Sequence, residues 1–336
     1  MGASLLRMLL QSETELVIVD NLLSAEEWNV PVHPQVRFMR GSIADSSILD
    51  ELPEDIDYVF HLATFHGNQN SIADPIADHD NNLLTTLKLY ERLRQFRRLK
   101  RVVYAASGCT LAPHAVRDAM PVLEDGPIPF ELDSPYQISK VVGELYSVYY
   151  AQRHGLPTVR ARFQNVYGPG EILGAGRWRG TSATVWRNVT PTFVYRALKG
   201  LPLQLENGGI ATRDFVYVDD VARGLMLCAS RGSPGDVYNL ASGVATSIRL
   251  LAETINAMTN NTAGTENRPA RDWDHSIVRF GSTEKAAREL SFKAIVRLKD
   301  GLDDTIQWTR ENLERIDVCI KRHSRELQLA DSRELA

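Results

Sequence analysis

Short apolar runs alternating with amphipathic helical segments are the feature that most limits how this chain can fold. LVIVD (16–20) ends in an acid, and VRFMRGSI (36–43), IDYVFHLA (56–63), RVVYAAS (101–107) and PTVRARFQNVYG (157–168) are runs of the same kind. Between them, Leu5, Leu6, Leu9 and Leu10 mark a helix over 3–11, and NNLLTTLKLYERLRQF (81–96) marks another. SPYQISKVVGELYSVYYAQRHG (134–155) reads as a third, with Pro135 near its start and Gly155 at its end. Strand–helix alternation predicts an α/β fold with a parallel sheet covered on both faces. Sheets of this kind bind ligands beyond the carboxyl ends of their strands, so the residues just after each run are where chemistry is expected. Beyond residue 168 the pattern loosens into loops such as GEILGAGRWRGT, read as a smaller second lobe, and ERIDVCIKRHSRELQLADSRELA reads as a charged helix running into a polar tail.

The 336 residues give room for two lobes. A net charge of -4 provides no general attraction to nucleic acid or an anionic membrane, so a phosphate-bearing ligand must be held by a few local cations. Cys109, Cys228 and Cys319 are far apart and match neither a disulfide framework nor a zinc spacing. No apolar run approaches membrane-spanning length, and Leu5 to Leu10 is a poor signal peptide, so the cytoplasm is the expected location.

Tyr136 and Lys140, four apart in SPYQISK, lie on one helix face. A neighbouring ammonium favours phenolate over phenol and lowers a tyrosine pKa from its usual value of about 10, which suits general acid–base work. The plainer reading is an exposed Tyr and Lys. Ser107, in YAASGCT, either bridges a substrate oxygen to the Tyr136 hydroxyl or caps a turn. Asp20 closes its strand after a Gly-initiated helix. A carboxylate there accepts from ribose hydroxyls and repels a 2′-phosphate, favouring NAD over NADP, or else it simply forms a turn. Arg213 and Arg271 suit the oxygens of a diphosphate, or ion pairs, Arg213 with Asp214 or Asp219. Arg177 and Arg179 suit an acidic sugar or a solvated loop. Cys109 reads as an inert buried thiol, because no His or Lys adjoins it. His61, His66 and His79 form no metal spacing and read as core or surface groups; no metal is expected.

Together VDNLLS, YVFHLAT, DNNLLTT, VVYAASGCT, SPYQISK, RFQNVYGPG, TRDFVYVDD, YNLASG and TEKAAREL resemble the extended short-chain dehydrogenase/reductase family, in particular its nucleotide-sugar epimerases and dehydratases. The resemblance runs from Gly2 to about Leu313. It implies a Rossmann-type doubly wound sheet over 1–168, a mixed α/β nucleotide-sugar lobe over 169–320 and a polar tail over 321–336. It makes Tyr136 the catalytic base, Lys140 its partner and ribose ligand, and Ser107 the helper hydroxyl. Gly2, Asp20 and Asn21, Ser42 and Ile43, Leu62, Ala63, Asn82 and Phe163 match positions around bound NAD. Ser107, Asn165, Arg213 and Arg271 match positions that hold the nucleotide sugar. The implied chemistry is C4 epimerisation of a nucleotide-diphosphate sugar, UDP preferred, through a 4-keto sugar. The implied assembly is a homodimer built on a four-helix bundle of the two long helices, with Leu87, Leu89, Leu93, Val142, Tyr146 and Tyr150 as apolar residues on more than one face.

Departures from the family pattern choose among its branches. Dehydratases place Asp then Glu directly after the helper hydroxyl, and decarboxylases place Glu at the second position. Here those positions are Gly108 and Cys109, which favours an epimerase. A 4,6-dehydratase or decarboxylase, and a catalytically poor binding relative, are the alternatives. Ser42 stands where many relatives have Asp. Gly2 matches the third glycine of G-x-x-G-x-x-G, so the chain enters that motif partway, without counterparts for the first strand and first two glycines. The expected consequence is weak or absent NAD binding by this chain and firm binding by a version extended upstream. Calorimetry on the two checks this, and equal affinities would overturn it.

Overall fold

The structure, a computed structural model, describes residues 1–108, 120–274 and 276–334. Helix α1 (Gly2–Leu9) is followed by β1 (Leu16–Asp20), β2 (Val36–Arg40), α2 (Ser46–Asp50), β3 (Tyr58–His61), α3 (Asn68–Ala73) and α4 (Pro75–Asp78). A π-helical turn (His79–Leu84) then leads into α5 (Thr85–Leu93), β4 (Arg101–Ser107), α6 (Pro135–His154), β5 (Thr158–Phe163) and β6 (Asn165–Tyr167). The expected helix over 81–96 therefore starts earlier, where Asp74 Oδ1 accepts from Ala77 N at 2.9 Å and Pro75 takes the first helical position. The expected strand over 157–168 is two strands parting at Gln164. The first pairs with β4 and the second joins another sheet.

The fold is Rossmann-type. β1 and β2 pair in parallel, and β3, β4, β5 and β9 (Val237–Leu240) form a second parallel set in the order β3-β4-β5-β9. Both faces are covered, which explains the unbroken apolar runs. On one face Val102 and Tyr104 of β4 meet α5 and α6, with Tyr90 and Leu93 fully enclosed beside Met39 and Val59. On the other, Val103, Ala105, Val159 and Ala161 pack against Leu5 of α1 and Val221 and Leu225 of α8 (Val218–Arg231). Burying each such large side chain contributes about 1.5–3 kcal/mol. Helix α6 lies close on β4 because residue 143 is glycine: a Cβ there would stand 2.0 Å from the Tyr104 hydroxyl oxygen.

The second cluster collects β6, α7 (Val189–Leu198), β7 (Leu203–Glu206), β8 (Thr212–Tyr217), α9 (Ile248–Thr259) and α10 (Leu298–Glu311) around Phe193, Leu205, Phe215 and Ile255. β8 is flanked by β10 (Ala245–Ser247) and β12 (Val278–Arg279), while β11 (Thr265–Arg268) pairs with β7. Because α8 and β9 return to the first sheet, a single handover at residue 168 does not describe the path of the chain. Residues 321–336, expected as a polar tail, include α12 (Ser324–Glu334), which follows α11 (Leu313–Lys321). His323 Nε2 lies 3.0 Å from Gly174 O and Arg322 Nη1 donates to Glu26 at 2.7 Å, so this end is bound to the body. Cys228 and Cys319 are buried and unbridged; Cys109 lies outside the described residues. Among the described residues no helix is long and apolar enough to cross a membrane.

His61, at the end of β3, is enclosed, with Nε2 2.9 Å from Thr86 Oγ1. That hydroxyl donates its own proton to Asn82 O at 2.6 Å, so the imidazole carries its proton on Nε2. Burial, then the charge of Lys140, pushes the ring down to about 3. The unfolded ring titrates near 6.5, so below that value the unfolded chain binds the extra proton and stability falls as pH drops toward 3. Urea unfolding should show a loss of about 1 kcal/mol from this ring between pH 6.5 and 5.5. The H61Q variant should lack that increment; equal slopes for the two proteins would count against it.

Candidate active site

Parallel register brings Ser107, at the end of β4, opposite Phe163, at the end of β5. Above them α6 begins at Ser134, whose Oγ accepts from Gln137 N at 3.3 Å and donates to Asn68 Oδ1 at 2.8 Å. Tyr136 N donates to Ser71 Oγ at 3.1 Å, so α3 is joined to the first turn of α6. One turn on, Lys140 is buried and its ammonium donates to Ala105 O at 3.0 Å. Nζ lies 5.4 Å from the Tyr104 ring centre and 5.7 Å from that of Tyr136. Tyr136 and Lys140 thus meet over the end of β4, as the four-residue spacing predicts. The plainer picture of an exposed pair does not hold, since Lys140 is enclosed.

The other expected positions divide into two groups. Asp20 Oδ1 accepts from Leu22 N at 2.7 Å and Asn21 Oδ1 from Leu23 N at 2.9 Å, shaping a turn in which Leu22 has φ 54°. Ser42 Oγ accepts from Ala44 N at 3.1 Å, and Ile43 is buried in the core. Asn82 is a clamp: Oδ1 accepts from Thr64 Oγ1 and Phe65 N, both at 2.8 Å, while Nδ2 donates to Asp78 Oδ1 at 2.7 Å. It fixes the loop carrying Leu62, half-buried, and Ala63, exposed. Gly2 opens α1, and a Cβ there would meet nothing within 4 Å.

Asn165 opens β6 beside Phe215. Arg213 is buried and donates from Nη2 to Asp274 Oδ2 at 2.8 Å. Its ion-pair partner is thus neither Asp214 nor Asp219. Asp214 accepts from Ser242 N, Gly243 N and Gly281 N, and Asp219 lies 3.5 Å from Arg7. Burial, then Arg279, pushes Arg213 down to about 10. Arg271 pairs with Glu206 and stands 5.1 Å over the Trp273 ring.

Three neighbours of the site were not singled out for it by the sequence. His66 faces Tyr136 edge-on at 6.0 Å, and burial, then Arg187, Arg179 and Lys140, pushes it down to about 3, so the ring is neutral. Gln164 follows Phe163, and a Cβ on Gly108 would lie 2.1 Å from its Nε2. Arg187 joins Arg179 on the loop before α7. Only FHG and the run of arginines in GRWRGTSATVWRN signal them in the sequence, and neither has a local partner to give it meaning. A phosphate-bearing dinucleotide fits these residues on one direct observation: Arg179 Nε is a buried donor with no hydrogen-bond partner.

The NAD dependent epimerase/dehydratase family model matches residues 1–241. A crystal structure of the Bordetella bronchiseptica enzyme WbmF with NADH is 58% identical and superposes with a TM-score of 0.87, covering 97% of this chain and 94% of that one. A second WbmF structure holds NAD+ and UDP, at 57% identity and a TM-score of 0.86, with 98% and 94% covered. A putative UDP-glucose 4-epimerase of Methanocaldococcus jannaschii is 27% identical over 93% of this chain and 95% of its own. A dTDP-glucose 4,6-dehydratase of Streptomyces antibioticus is 28% identical over 84% and 79%. The α/β sheet, the Tyr136–Lys140 pair over β4 and the match over most of its length make this chain a member of the NAD-dependent epimerase/dehydratase family.

Proposed function

We propose that the chain epimerises a nucleotide-diphosphate sugar at C4, the nucleotide being UDP. The observation that carries this reading is the buried Lys140 ammonium, held by Ala105 O beneath the Tyr136 ring at the end of a strand that closes with Ser107. Bound NAD supplies the hydride acceptor, and then the donor, at C4. Tyr136 takes the proton of the 4-hydroxyl and returns it when the 4-keto sugar is reduced on its other face. The fixed ammonium of Lys140 lowers the energy of the phenolate that stands before the first of those events and again after the second. Ser107 donates to the same sugar oxygen.

Gly108 favours this reaction over dehydration. By the family pattern a dehydratase has an acid directly after the helper hydroxyl, and residue 108 carries no side chain to supply one; the Gln164 carboxamide lies in the space beside it. Asp20 and Asn21, at the end of β1, are assigned to the adenosine ribose, Ser42 and Ile43 to the adenine side, and Asn82 to holding the cofactor-side loop. For the diphosphate, Arg271 is favoured over Arg213. Its ion pair is exposed and exchanges for phosphate at little cost, whereas Arg213 is buried and would have to give up its contact with Asp274.

Incubation with UDP-, GDP-, CDP- and dTDP-sugars, with products resolved by NMR, tests the reading. A C4-inverted UDP-sugar is expected, with Y136F at least 100-fold slower. Loss of water or carbon dioxide from the sugar would overturn it.

A homodimer is also proposed. Ile138, Leu145 and Tyr149 are exposed at spacings of seven and four, an apolar stripe along α6 that a second copy would cover. Light scattering at micromolar concentration should give twice the chain mass, and a monomer mass would refute it.

A further inference from the structure

Beside the catalytic pair stand two arginines with which none of the described carboxylates forms an ion pair. Arg179 donates from Nη1 to Ser24 Oγ at 2.7 Å and from Nη2 to Thr184 O at 3.4 Å. Arg187 donates from Nη1 to Ser24 O at 2.8 Å, from Nε to Thr184 O at 3.4 Å, and from Nη2 to Ala175 O. Every one of these acceptors is uncharged. Among the described residues no carboxylate lies within 4.0 Å of either guanidinium. Arg179 is only 6% exposed, and its Nε has no partner at all.

Glu171 and Glu26 favour the charge of Arg187 through space, but neither is bonded to it. Glu26 is engaged by Arg322 and by Gly176 N. Glu171 accepts from Asn188 Nδ2 at 2.5 Å, and burial pushes its carboxyl up against the pull of Asn188 and Arg187. Burial, then the charge of Arg187, pushes Arg179 down to about 10, so both side chains stay charged at neutral pH. A buried cation beside a half-buried one, with no carboxylate bonded to either, is an unfavourable arrangement unless a ligand supplies negative charge.

Their position says which ligand. Both arginines hold Ser24, on the loop that follows Asp20 at the end of β1. Through Thr181, whose Oγ1 donates to Asn70 Oδ1 at 2.7 Å, the loop that carries both arginines is tied to α3, and Ser71 of α3 accepts from the Tyr136 backbone. The pair therefore lies between the ribose-side acid and the nicotinamide-side tyrosine. A dinucleotide carries its doubly negative diphosphate midway between its two nucleosides. Planar guanidinium forks match phosphate oxygens in charge and in shape.

We propose that Arg179 and Arg187 clamp the pyrophosphate of NAD, and so bind the loop before α7 to the first lobe when the cofactor is present. This rests on the family's NAD dependence and not on which sugar turns over, so it is read from affinities and stands or falls apart from the epimerase assignment. The diphosphate of the nucleotide sugar is the other source of the same chemistry, and the experiment separates the two.

Calorimetry is run on the unaltered chain and on R179Q, R187Q and R179K with NAD, inorganic pyrophosphate and UDP as ligands. The glutamine variants should bind NAD and pyrophosphate at least 10-fold more weakly, with UDP affinity unchanged, and R179K should fall between them and the unaltered chain. If R179Q does not fold, the unaltered protein still decides: pyrophosphate should raise its thermal midpoint and compete with NAD. Equal NAD affinity in folded glutamine variants overturns the proposal. So does a loss confined to UDP, or an unaltered chain that takes up no pyrophosphate, the ligand whose binding does not depend on the glycine-rich turn.

Discussion

A lysine ammonium held away from water is the constraint around which the rest of the site is built. Its charge is tolerable only where hydrogen-bond acceptors are fixed in place, and Ala105 O at 3.0 Å is one such acceptor. Reaching that carbonyl requires α6 to lie close on β4. Gly143, one turn beyond Lys140, permits the approach by giving its space to the Tyr104 hydroxyl. Glu144 then fixes the helix from the other side, accepting from Arg162 Nε at 2.8 Å and Arg162 Nη2 at 2.7 Å. Arg162 stands on β5, next to Phe163, so the strand end and the helix start are located by the same buried charges. Removing one partner of such a pair costs about 3–5 kcal/mol. The placement of Tyr136 is therefore a consequence of electrostatics two turns away, as much as of its own contacts.

How much of this was legible in the sequence depended on the range of the forces involved. The strands could be read because both sheet faces are buried, which leaves continuous runs such as Val102–Ala106. The Tyr136–Lys140 pair could be read because helical spacing is a local rule. The start of the helix before α5 could not. It includes a π-helical turn at His79–Leu84, and that turn carries Asn82, whose bonds to Thr64 and Phe65 are tertiary. Arg213 fails for the same reason. The local sequence offers Asp214 and Asp219, yet its partner Asp274 lies 61 positions away on a different segment. His66 carries no signal until the fold brings Tyr136 against it.

The two lobes are less separable than a linear division of the chain implies. The apolar run beginning at Thr158 serves the first sheet as far as Phe163 and the second from Asn165 onward. The residue between them, Gln164, lies against both Gly108 and Gly281: added Cβ atoms would stand 2.1 and 2.8 Å from its Nε2. One side chain thus spans the end of β4 and the segment after β12. Arg322 bonded to Glu26, and His323 against Gly174, bind the C-terminal helices to the loops that follow β1 and β6. A ligand bound between the two sheets would meet walls that are joined through the backbone at Gln164.

Charge distribution decides what such a junction accepts. With a net charge of -4 the chain as a whole repels a polyanionic ligand, so attraction must come from cations whose charge is not already spent. Arg213 and Arg271 resemble phosphate ligands by sequence position, but Asp274 and Glu206 already face them. Arg179 and Arg187 donate only to hydroxyl and carbonyl oxygens, with neutral His66 nearby and Glu171 and Glu26 acting on Arg187 through space. A buried arginine already paired with a carboxylate must surrender one strong contact to gain another. One bonded only to neutral oxygens surrenders little and gains a full charge interaction. The positive potential of this junction is therefore concentrated beside Ser24 and Tyr136, even though the sequence motifs direct attention to the other two arginines.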